Sequence, residues 1–331
     1  MFPVVAVPGG RGNLGRTIVE AILEDGKFTP IILAREVGWH QSLDCRGEAD
    51  GMPLQEDAAL SEKIGARIIA VDYSNVQALT KLLEDEKVEV VISTLNLVTG
   101  ADPELSLIKA AEASSVTKRY IPAIWGIKFG QEIIDIFPPA KFKTDVIDAV
   151  TASNLEYSIW IPGYFLDWFT YPGVKTYMQP FSIVVDFAHN TAAIPIRGDI
   201  PVALTHTVDM AKLVAKALTL PKWEPETYCI AEKITWDQMI AIGEKVKKTK
   251  FKVTYDTLDT LKTHTVAELP GHPEAYKFIP KPMLQSILAT FGIMFGTGAF
   301  DLKYGHAIQD DFPEVKVRKV EELLTEAWKT D

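Results

Sequence analysis

The sequence predicts an α/β protein: a Rossmann-type, doubly wound parallel sheet followed by a smaller, irregular α+β substrate domain. Three observations predict this fold class. Continuous Val/Ile runs alternate with amphipathic helical segments in the first half, as in parallel sheets covered by helices on both faces. A glycine-rich segment, Gly9–Gly15, directly follows the first run. The second half is less regular, with frequent proline and glycine between its segments.

The hydrophobic periodicity predicts strands and helices in alternation. The predicted strands of the first half are Pro3–Pro8, Pro30–Ala34, Arg67–Val71, Val88–Ser93, Arg119–Pro122 and Glu156–Ile161. Its predicted helices are Leu14–Asp25, Val76–Glu86, Pro103–Ser114 and Phe142–Ala152. In the second half we predict the helices Val208–Leu220, Trp236–Lys248 and Lys319–Trp328 and the strand Phe251–Tyr255. We expect a first domain over 1–163 and a second mainly over 164–331, with parts of 200–235 packing back on the first.

Composition limits the function classes. The chain has 331 residues, a formal net charge of −10 and 47% hydrophobic residues, enough for one large domain or two intimately joined ones. The acidic balance argues against nucleic acid as the main partner, because phosphate backbones attract basic surfaces. Two cysteines, Cys45 and Cys229, form neither a disulfide framework nor a metal-ligand cluster, and the N-terminus does not read as a signal peptide. A reducing, cytoplasmic location is expected.

The stretch Pro282–Phe300 contains no charged residue. A membrane span is one interpretation, since a span needs about twenty apolar residues. Gln285, Ser286, Thr290 and three glycines disfavour it. We therefore expect a buried or pocket-lining segment and no membrane partner.

The segment Gly9–Gly15 has the spacing G-x-x-G-x-x-G between the first predicted strand and helix. Glycine permits the sharp turn and the close approach of backbone to a pyrophosphate, and the helix N-terminus offers free N–H groups to phosphates. Glycine turns are common, but this place at the start of a βαβ unit predicts a dinucleotide site. The expected contacts are Gly9, Arg11, Gly12, Asn13, Leu14 and Gly15.

The end of the second predicted strand indicates which dinucleotide binds. An NAD-preferring site carries a carboxylate there for the ribose hydroxyls. This chain has Arg35, and a guanidinium pairs with a 2′-phosphate and stacks on adenine. Arg11 in the loop can reach the same phosphate. The sequence thus predicts NADP(H) over NAD(H), with a solvated strand-end arginine as the alternative for Arg35.

Several further motifs occur in a characteristic order. They are Leu33-Ala34-Arg35, Val90–Ser93, Lys118–Pro122 followed by Gly126, Gly296–Phe300, Phe312–Lys316 and Val320–Leu323. Together with the loop, they resemble the NmrA-like and isoflavone-reductase-like group of atypical short-chain dehydrogenases over nearly the whole chain. The resemblance implies an NADP(H)-dependent reductase of fungal or plant secondary metabolism. It also implies cofactor contacts from Thr94, Leu95, Pro162, Tyr164 and Phe165.

Reductases of this group use a lysine before the sixth strand as a catalytic acid or base and as a cofactor contact. Lys141 and Lys143 both lie there, and Lys143 has the matching spacing from Tyr157. The resemblance therefore implies that Lys143 is catalytic. A half-buried lysine beside a nicotinamide can have a lowered pKa and exchange protons near neutrality. There are two alternatives: Lys143 only holds the ribose hydroxyls, or it is an ordinary lysine in the first turn of a helix.

The segment Tyr171–Lys175 matches the Tyr-x-x-x-Lys motif of ordinary short-chain dehydrogenases. Pro172 and Gly173 disfavour the helix that would place the pair one turn apart. The segment also follows the sixth strand, whereas the usual pair precedes it. We do not expect this motif to be catalytic.

Two positions depart from the group. Ala123 and Ile124 stand where the group has Ser-Glu, so a hydroxyl and a carboxylate are expected to be missing near the site. Proton handling would then rest on Lys143, on substrate groups or on a residue of the second domain.

Aromatic and apolar residues are concentrated after the sixth strand and in the charge-free stretch. We expect them to line a large pocket for a bulky, aromatic or prenylated small molecule, although hydrophobic core is an equally good interpretation of each. The expected pocket residues are Trp125, Tyr164, Phe165, Trp168, Phe169, Met283, Phe291 and Met294. The histidines show no close metal spacing, so structural roles and no metal are expected for His40, His189, His206, His264, His272 and His306.

Two function classes remain open. The favoured one is an NADPH-dependent oxidoreductase that transfers hydride to or from a bulky natural-product-like substrate, with coupled rearrangement or cyclisation as a variant. The alternative is a non-enzymatic regulator like NmrA itself, which senses dinucleotides and binds a protein partner. Lys143 and the aromatic segment favour the enzyme. Monomer and homodimer are equally compatible with the sequence.

Overall fold

A computed structural model of the protein describes residues 2–35, 54–178, 182–277 and 279–329, with only the backbone of residues 54–58. His40 and Cys45 lie outside the described residues. Within these ranges the strands form one six-stranded sheet and three smaller ones.

The first half of the chain forms the six-stranded sheet. Its strands are β1 (Val4–Pro8), β2 (Thr29–Arg35), β3 (Arg67–Val71), β4 (Val88–Ile92), β5 (Arg119–Ile121) and β6 (Glu156–Tyr157). All neighbours pair in parallel, in the order β3-β2-β1-β4-β5-β6. This arrangement confirms the predicted fold class. The strand order reverses between β1 and β4, which is where such sheets open a crevice at the carboxyl ends of their strands.

Helices cover both faces of this sheet. Successive residues of a strand point to opposite sides, so the apolar strands have side chains to bury on each face. The helices of the first half are α1 (Asn13–Asp25), α2 (Leu54–Ile64), α3 (Val76–Asp85), α4 (Asp102–Ala113), α5 (Gln131–Ile136) and α6 (Ala140–Ala152). Val5 and Val7 of β1 pack with α1, whereas Ala6 packs with α3, α4 and α6. The predicted helices match α1, α3, α4 and α6 to within two residues, and α2 and α5 were not predicted.

The predicted sixth strand, Glu156–Ile161, is two strands in the structure. The backbone N–H of Ser158 still donates to the Tyr120 carbonyl of β5, at 3.2 Å. The next N–H, of Ile159, donates instead to the Pro225 carbonyl, at 2.9 Å. The chain therefore changes its pairing partner at Ser158, which a hydrophobic run cannot reveal.

The second half contains short strands and further helices. Its strands are β7 (Ile159–Ile161), β8 (Tyr164–Phe165), β9 (Val185–Asp186), β10 (Thr191–Pro195), β11 (Pro201–Thr205), β12 (Glu226–Tyr228), β13 (Glu232–Thr235) and β14 (Lys252–Asp256). Its helices are α7 (Asp167–Thr170), α8 (Thr207–Ala217), α9 (Trp236–Lys247), α10 (Leu258–Lys262), α11 (His272–Ala275), α12 (Lys281–Gly296) and α13 (Val320–Trp328), with a 3₁₀ turn at Ile308–Asp310. The small sheets are β14-β10-β9, β13-β11-β8 and β12-β7.

Part of the second half lies on the six-stranded sheet. Helix α8 contributes Met210 and Leu213 to the same hydrophobic cluster as Ile18 and Ile22 of α1. Apolar burial of this kind is the main stabilising contribution to folding. The helix therefore joins the two halves of the chain on the α1 face of the sheet.

Most of the charge-free stretch forms α12. Leu284, Leu288 and Phe295 of this helix are buried in the core of the second half. No helix among the described residues combines the length and the apolar character needed to cross a membrane. The interpretation of this stretch as a buried segment is the one that fits.

Candidate active site

A cleft of about 430 Å³ lies at the carboxyl ends of β1, β2 and β4, beside the start of α6. It sits at the reversal of strand order, where open α/β sheets bind their ligands. We call it the phosphate-loop cleft. Its lining residues are Gly9, Arg11, Gly12, Asn13, Leu14, Gly15, Leu33, Ala34, Arg35, Tyr73, Thr94, Leu95, Asn96, Leu97, Val98, Ala123, Trp125, Phe137, Pro139, Lys143, Phe165 and Met178.

The glycine loop packs tightly on the end of β4. Gly9 has a φ of +78°, a conformation that L side chains rarely adopt. A Cβ atom on Gly9 would lie 2.7 Å from Thr94 Oγ1, and that hydroxyl donates to the Pro8 carbonyl at 2.8 Å. Gly12 precedes α1, and no side chain caps this helix. The N–H groups of its first turn therefore remain for a phosphate.

Alanine at Gly15 and at Gly12 is expected to separate folding from ligand binding. A Cβ on Gly15 would lie 2.4 Å from the Gly9 carbonyl oxygen, so Gly15→Ala should lower the free energy of unfolding by about 1–3 kcal/mol. A Cβ on Gly12 meets no protein atom closer than 3.8 Å. Gly12→Ala should leave stability unchanged and weaken dinucleotide binding about tenfold, or about 1.4 kcal/mol, through contact with the pyrophosphate. Urea unfolding and fluorescence titration measure the two effects. Unchanged affinity of Gly12→Ala would show that no phosphate approaches this backbone.

Two arginines line the cleft near the end of β2. Arg35 is the last residue of β2 and Arg11 belongs to the loop. Both are half-buried. Both arginines that the sequence indicated for a 2′-phosphate thus line one cleft. Tyr73, which was not predicted, also lines the cleft and donates from its hydroxyl to the Leu33 carbonyl at 3.1 Å.

Lys143 is the lysine that lines the cleft. Its Nζ donates to the Ala123 carbonyl at 3.4 Å and lies 4.9 Å from the centre of the Phe129 ring. Burial lowers the pKa of Lys143 to about 8, and the negative charge of Glu104 partly opposes this effect. Lys141 is exposed, forms an ion pair with Asp145 and does not line the cleft. The geometry therefore separates the two candidate lysines.

A buried glutamate, Glu104, lies behind the cleft. It belongs to the first turn of α4 and is 0% exposed. The hydroxyl of Ser93 donates to one carboxylate oxygen, and the Tyr120 hydroxyl and the Ala123 N–H donate to the other, each at 3.1 Å. Burial raises the pKa of Glu104 to about 7, against the lowering effect of these hydrogen bonds and of the charge of Lys143.

Glu104 was not predicted from the sequence. A glutamate in the first turn of a helix is usually an exposed partner of the helix dipole, and nothing local marks this one as buried. Its presence also corrects an expectation. The polar groups thought to be missing at Ala123 and Ile124 have counterparts in the carboxylate of Glu104 and the hydroxyl of Ser93, which lie directly behind Ala123. Ile124 itself is fully buried in the core.

Of the predicted pocket residues, Trp125 and Phe165 line the cleft. The indole N–H of Trp125 donates to the Ser93 carbonyl at 2.9 Å, which holds the ring in place. Tyr164 precedes Phe165 in β8, and adjacent strand residues point to opposite faces. The Tyr164 ring therefore lies in the core, 5.1 Å from the ring of Phe295, and its hydroxyl has no hydrogen-bond partner among the described residues.

The remaining predicted contacts also lie away from the cleft lining. Phe169 is buried in the core of the second half, and Trp168 and Phe291 pack against that core. Met283 is 57% exposed. The Pro162 carbonyl accepts a hydrogen bond from the buried Thr205 hydroxyl at 2.8 Å. Phe169, Trp168 and Phe291 are therefore placed by core packing, the alternative predicted for each of these aromatic residues.

Several lining residues were not predicted. The segment 96–98 begins four residues after the end of β4, so its place after a strand that ends beside the glycine loop could have indicated it. Phe137 and Pro139 precede α6, and Met178 comes from the second half. Only the tertiary fold brings Met178 to the loop.

Comparison with known proteins gives the family. The family model described as NmrA-like family matches residues 3–324. The chain belongs to the NmrA-like family. The oxidoreductase swnN of Metarhizium robertsii is 28% identical to it over 352 aligned positions, which cover 98% of this chain and 97% of that protein. The oxidoreductase BOA1 of Botryotinia fuckeliana is 26% identical, with coverages of 94% and 95%.

A solved structure agrees with this family fold. The complex of AtPrR2 with NADP⁺ and (+)pinoresinol matches this NmrA-like chain with a TM-score of 0.73 at 21% identity and covers 98% of both chains. At that identity the likeness establishes the fold alone.

The Tyr171–Lys175 segment of this NmrA-like protein is not helical. Lys175 Nζ lies 2.7 Å from Glu20 of α1, and Tyr171 is 46% exposed. The two side chains therefore do not form the Tyr-x-x-x-Lys arrangement, as expected from Pro172 and Gly173.

The described histidines have structural surroundings. His206 and His272 are buried. The other three lie beside polar side chains: His189 at 2.9 Å from Asp186, His264 at 3.2 Å from Ser286 and His306 at 3.1 Å from Asp311. In the part of the chain that the structure describes, no group of three or more His, Cys, Asp or Glu residues could hold a metal ion.

A larger cavity of about 940 Å³ lies at the edge formed by β7 and β12. Its lining includes Trp160, Trp223 and Tyr228, and no residue of the glycine loop. Size does not decide the assignment here. The phosphate-loop cleft holds the glycine loop, two arginines and a lysine of lowered pKa, so it is the candidate active site.

Proposed function

We propose that this NmrA-like protein is an NADPH-dependent reductase of a bulky aromatic, natural-product-like small molecule in secondary metabolism. The observation that carries the proposal is Lys143. Its amine, with a pKa lowered to about 8, lies in the same cleft as the glycine loop and Arg35. An acid or base near neutrality beside a dinucleotide site is what a reductase requires and what a pure dinucleotide sensor does not.

The residues of the cleft fit NADP(H). The backbone at Gly12 leaves room for a pyrophosphate at the start of α1, because a Cβ there would meet no protein atom closer than the Gly9 carbonyl oxygen at 3.8 Å. Arg11 and Arg35 supply guanidinium groups for a 2′-phosphate. The relative AtPrR2 was solved with NADP⁺, which supports the choice. When bound, NADPH supplies a hydride from C4 of its nicotinamide.

The side chains of this protein supply the proton and the dry environment. Lys143 donates a proton to the substrate atom that gains negative charge when hydride arrives at a carbonyl, imine or conjugated double bond. The Ala123 carbonyl and the Phe129 ring hold its ammonium group. Trp125 and Phe165 cover apolar parts of the same cleft, and exclusion of water strengthens the electrostatic interactions inside.

The apolar lining favours a bulky substrate. Leu97, Phe137, Phe165 and Met178 face one cleft with the indole of Trp125. Pockets of this kind bind large apolar molecules and orient them through a few polar groups. The relatives swnN and BOA1 are named oxidoreductases, and AtPrR2 binds (+)pinoresinol. Both facts support a small-molecule substrate.

The test is turnover in the presence of NADPH. We would measure binding by cofactor fluorescence and then follow its oxidation with bulky aromatic ketones, imines and conjugated enones. Mass spectrometry of the product distinguishes simple reduction from reduction with ring closure. NADPH that binds tightly and is never oxidised, with this panel or with metabolite fractions of the source organism, would contradict the proposal and favour the regulator.

Arg35→Ala is expected to weaken NADPH binding about 100-fold and to leave NADH affinity nearly unchanged. A charged hydrogen-bonded pair contributes about 1.5–3 kcal/mol, and NADH lacks the 2′-phosphate. Arg67→Ala is the matched control. Arg67 is the first residue of β3 and does not line the cleft. Its side chain is 62% exposed and pairs with Glu86. Fluorescence titration with both cofactors measures the ratio. Equal weakening of NADPH and NADH would contradict the assignment of Arg35 to the 2′-phosphate.

A further inference from the structure

Glu104 and Lys143 are joined through the backbone of one residue. The Ala123 N–H donates to Glu104 at 3.1 Å, and the Ala123 carbonyl accepts from Lys143 Nζ at 3.4 Å. Ala123 lines the cleft, and Glu104 lies behind it with 0% exposure. The buried carboxyl is therefore one residue removed from the amine that faces the ligand.

The surroundings of Glu104 suit a carboxylate. Ser93, Tyr120 and the Ala123 N–H all donate to its two oxygens, and an ionised carboxylate accepts all three bonds without donating one. Burying a negative charge costs several kcal/mol unless a positive charge compensates it. Lys143 is the cation whose charge acts on Glu104, and Glu104 is the anion whose charge acts on Lys143.

Other titratable groups around Glu104 and Lys143 do not replace the effect of each charge on the other. Tyr120 faces Glu104, and the pKa of Tyr120 is raised by burial first and by Glu104 second. The remaining charged side chains of α4 and α5, the two helices in contact with α6, are solvent-exposed. They are Asp102, Lys109 and Glu112 of α4 and Glu132 and Asp135 of α5.

We propose that Glu104 is a positioning residue for Lys143: its carboxylate fixes the Ala123 backbone that receives the ammonium group, and its charge keeps that group protonated above neutral pH. Without this charge, the desolvated amine would release its proton at lower pH. The catalytic meaning of the coupling rests on the proposed function, since a reductase needs the proton on Lys143. The coupling itself exists whether or not the protein is an enzyme.

The test measures Lys143 directly and needs no substrate or cofactor. We would label the protein with trace acetic anhydride across the neutral and alkaline pH range and quantify acetyl-Lys143 by mass spectrometry. In Glu104→Gln the midpoint of labelling should fall by about one pH unit, so that the reactive free-amine form of Lys143 is about fivefold more abundant at pH 7. Lys141, exposed and two residues away, is the internal reference and should not change.

Glu112→Gln is the matched control. It removes the same charge from the same helix, but Glu112 is exposed and accepts from Asn154 at 3.0 Å, so the Lys143 midpoint should stay in place. Ser93→Ala is a second variant that keeps the carboxyl and removes one donor to it, and it should move the midpoint in the same direction by less. A folded Glu104→Gln protein with the wild-type midpoint would overturn the proposal. An equal movement in Glu112→Gln would overturn it too. If Glu104→Gln does not fold, an unchanged midpoint in Ser93→Ala has the same consequence.

Discussion

Replacing Lys143 by methionine is expected to lower kcat about 10²- to 10⁴-fold, the usual contribution of a positioned acid or base. Methionine keeps an unbranched side chain only one atom shorter and removes the titratable amine. Lys143 lies in the cleft with the pKa lowered to about 8, so the wild-type kcat should be constant below about pH 8 and fall above it, as the ammonium form is lost. The measurement is the pH dependence of NADPH oxidation with the substrate that the panel identifies.

The control for this prediction lies on the same helix. Lys141→Met removes an exposed lysine that pairs with Asp145 and should change kcat by less than about twofold. The split between kcat and KM separates the two roles that the sequence left open for Lys143. A variant with normal kcat and a raised KM for NADPH would contradict proton transfer and leave Lys143 as a cofactor contact.

Glu104→Gln is expected to remove about 3 kcal/mol of pH dependence from the free energy of unfolding between about pH 4.5 and about pH 7. The ordinary pKa of this carboxyl is 4.5, and burial raises it to about 7 in the folded protein. In this range the unfolded chain has released the proton that the folded protein still holds. The stabilisation is therefore complete below pH 4.5 and is lost as the pH rises through about 7. Glutamine does not titrate, so urea unfolding of both proteins across this range measures the difference.

Other groups that titrate in this range contribute equally to the free energy of unfolding of both proteins, so their contributions cancel in the difference. Burial lowers the pKa of His206 and of His272, so both reduce stability as the pH falls, but they do so equally in the two proteins. Glu112→Gln again serves as the control, because Glu112 is exposed. A constant difference between wild type and Glu104→Gln across the range would show that Glu104 ionises as an ordinary glutamate and that its burial is compensated in full.

The first half of the fold follows closely from local pattern. Its strands are continuous apolar runs and its helices are amphipathic, so each segment indicates its own structure without its neighbours. The predicted extent of the sixth strand is wrong for a reason that hydrophobic periodicity cannot reveal. At Ser158 the chain leaves β5 and pairs with β12. The residues of a strand do not indicate which other strand it pairs with. Most short strands of the second half were missed for the same reason, whereas β14 matches the predicted strand Phe251–Tyr255 to within one residue.

The candidate site divides in the same way. The sequence predicts the glycine loop, Arg11 and Arg35 as site residues, because each lies at or just after the end of a predicted strand. Tyr164 and Phe165 are adjacent and chemically similar, so the same role was predicted for both from the sequence. The alternation of β8 places only Phe165 at the cleft, whereas Tyr164 packs among the rings of the second-half core.

The sequence by itself determined that this protein has a doubly wound sheet, a glycine loop at the end of its first strand and a lysine before the sixth, because these features depend on residues close together in the chain. Tertiary structure alone decided what surrounds that lysine. Glu104, Ala123 and Lys143 belong to α4, to the segment after β5 and to α6. Packing of these elements buries the carboxyl, and its hydrogen bonds and charge act only at the short distances that packing creates.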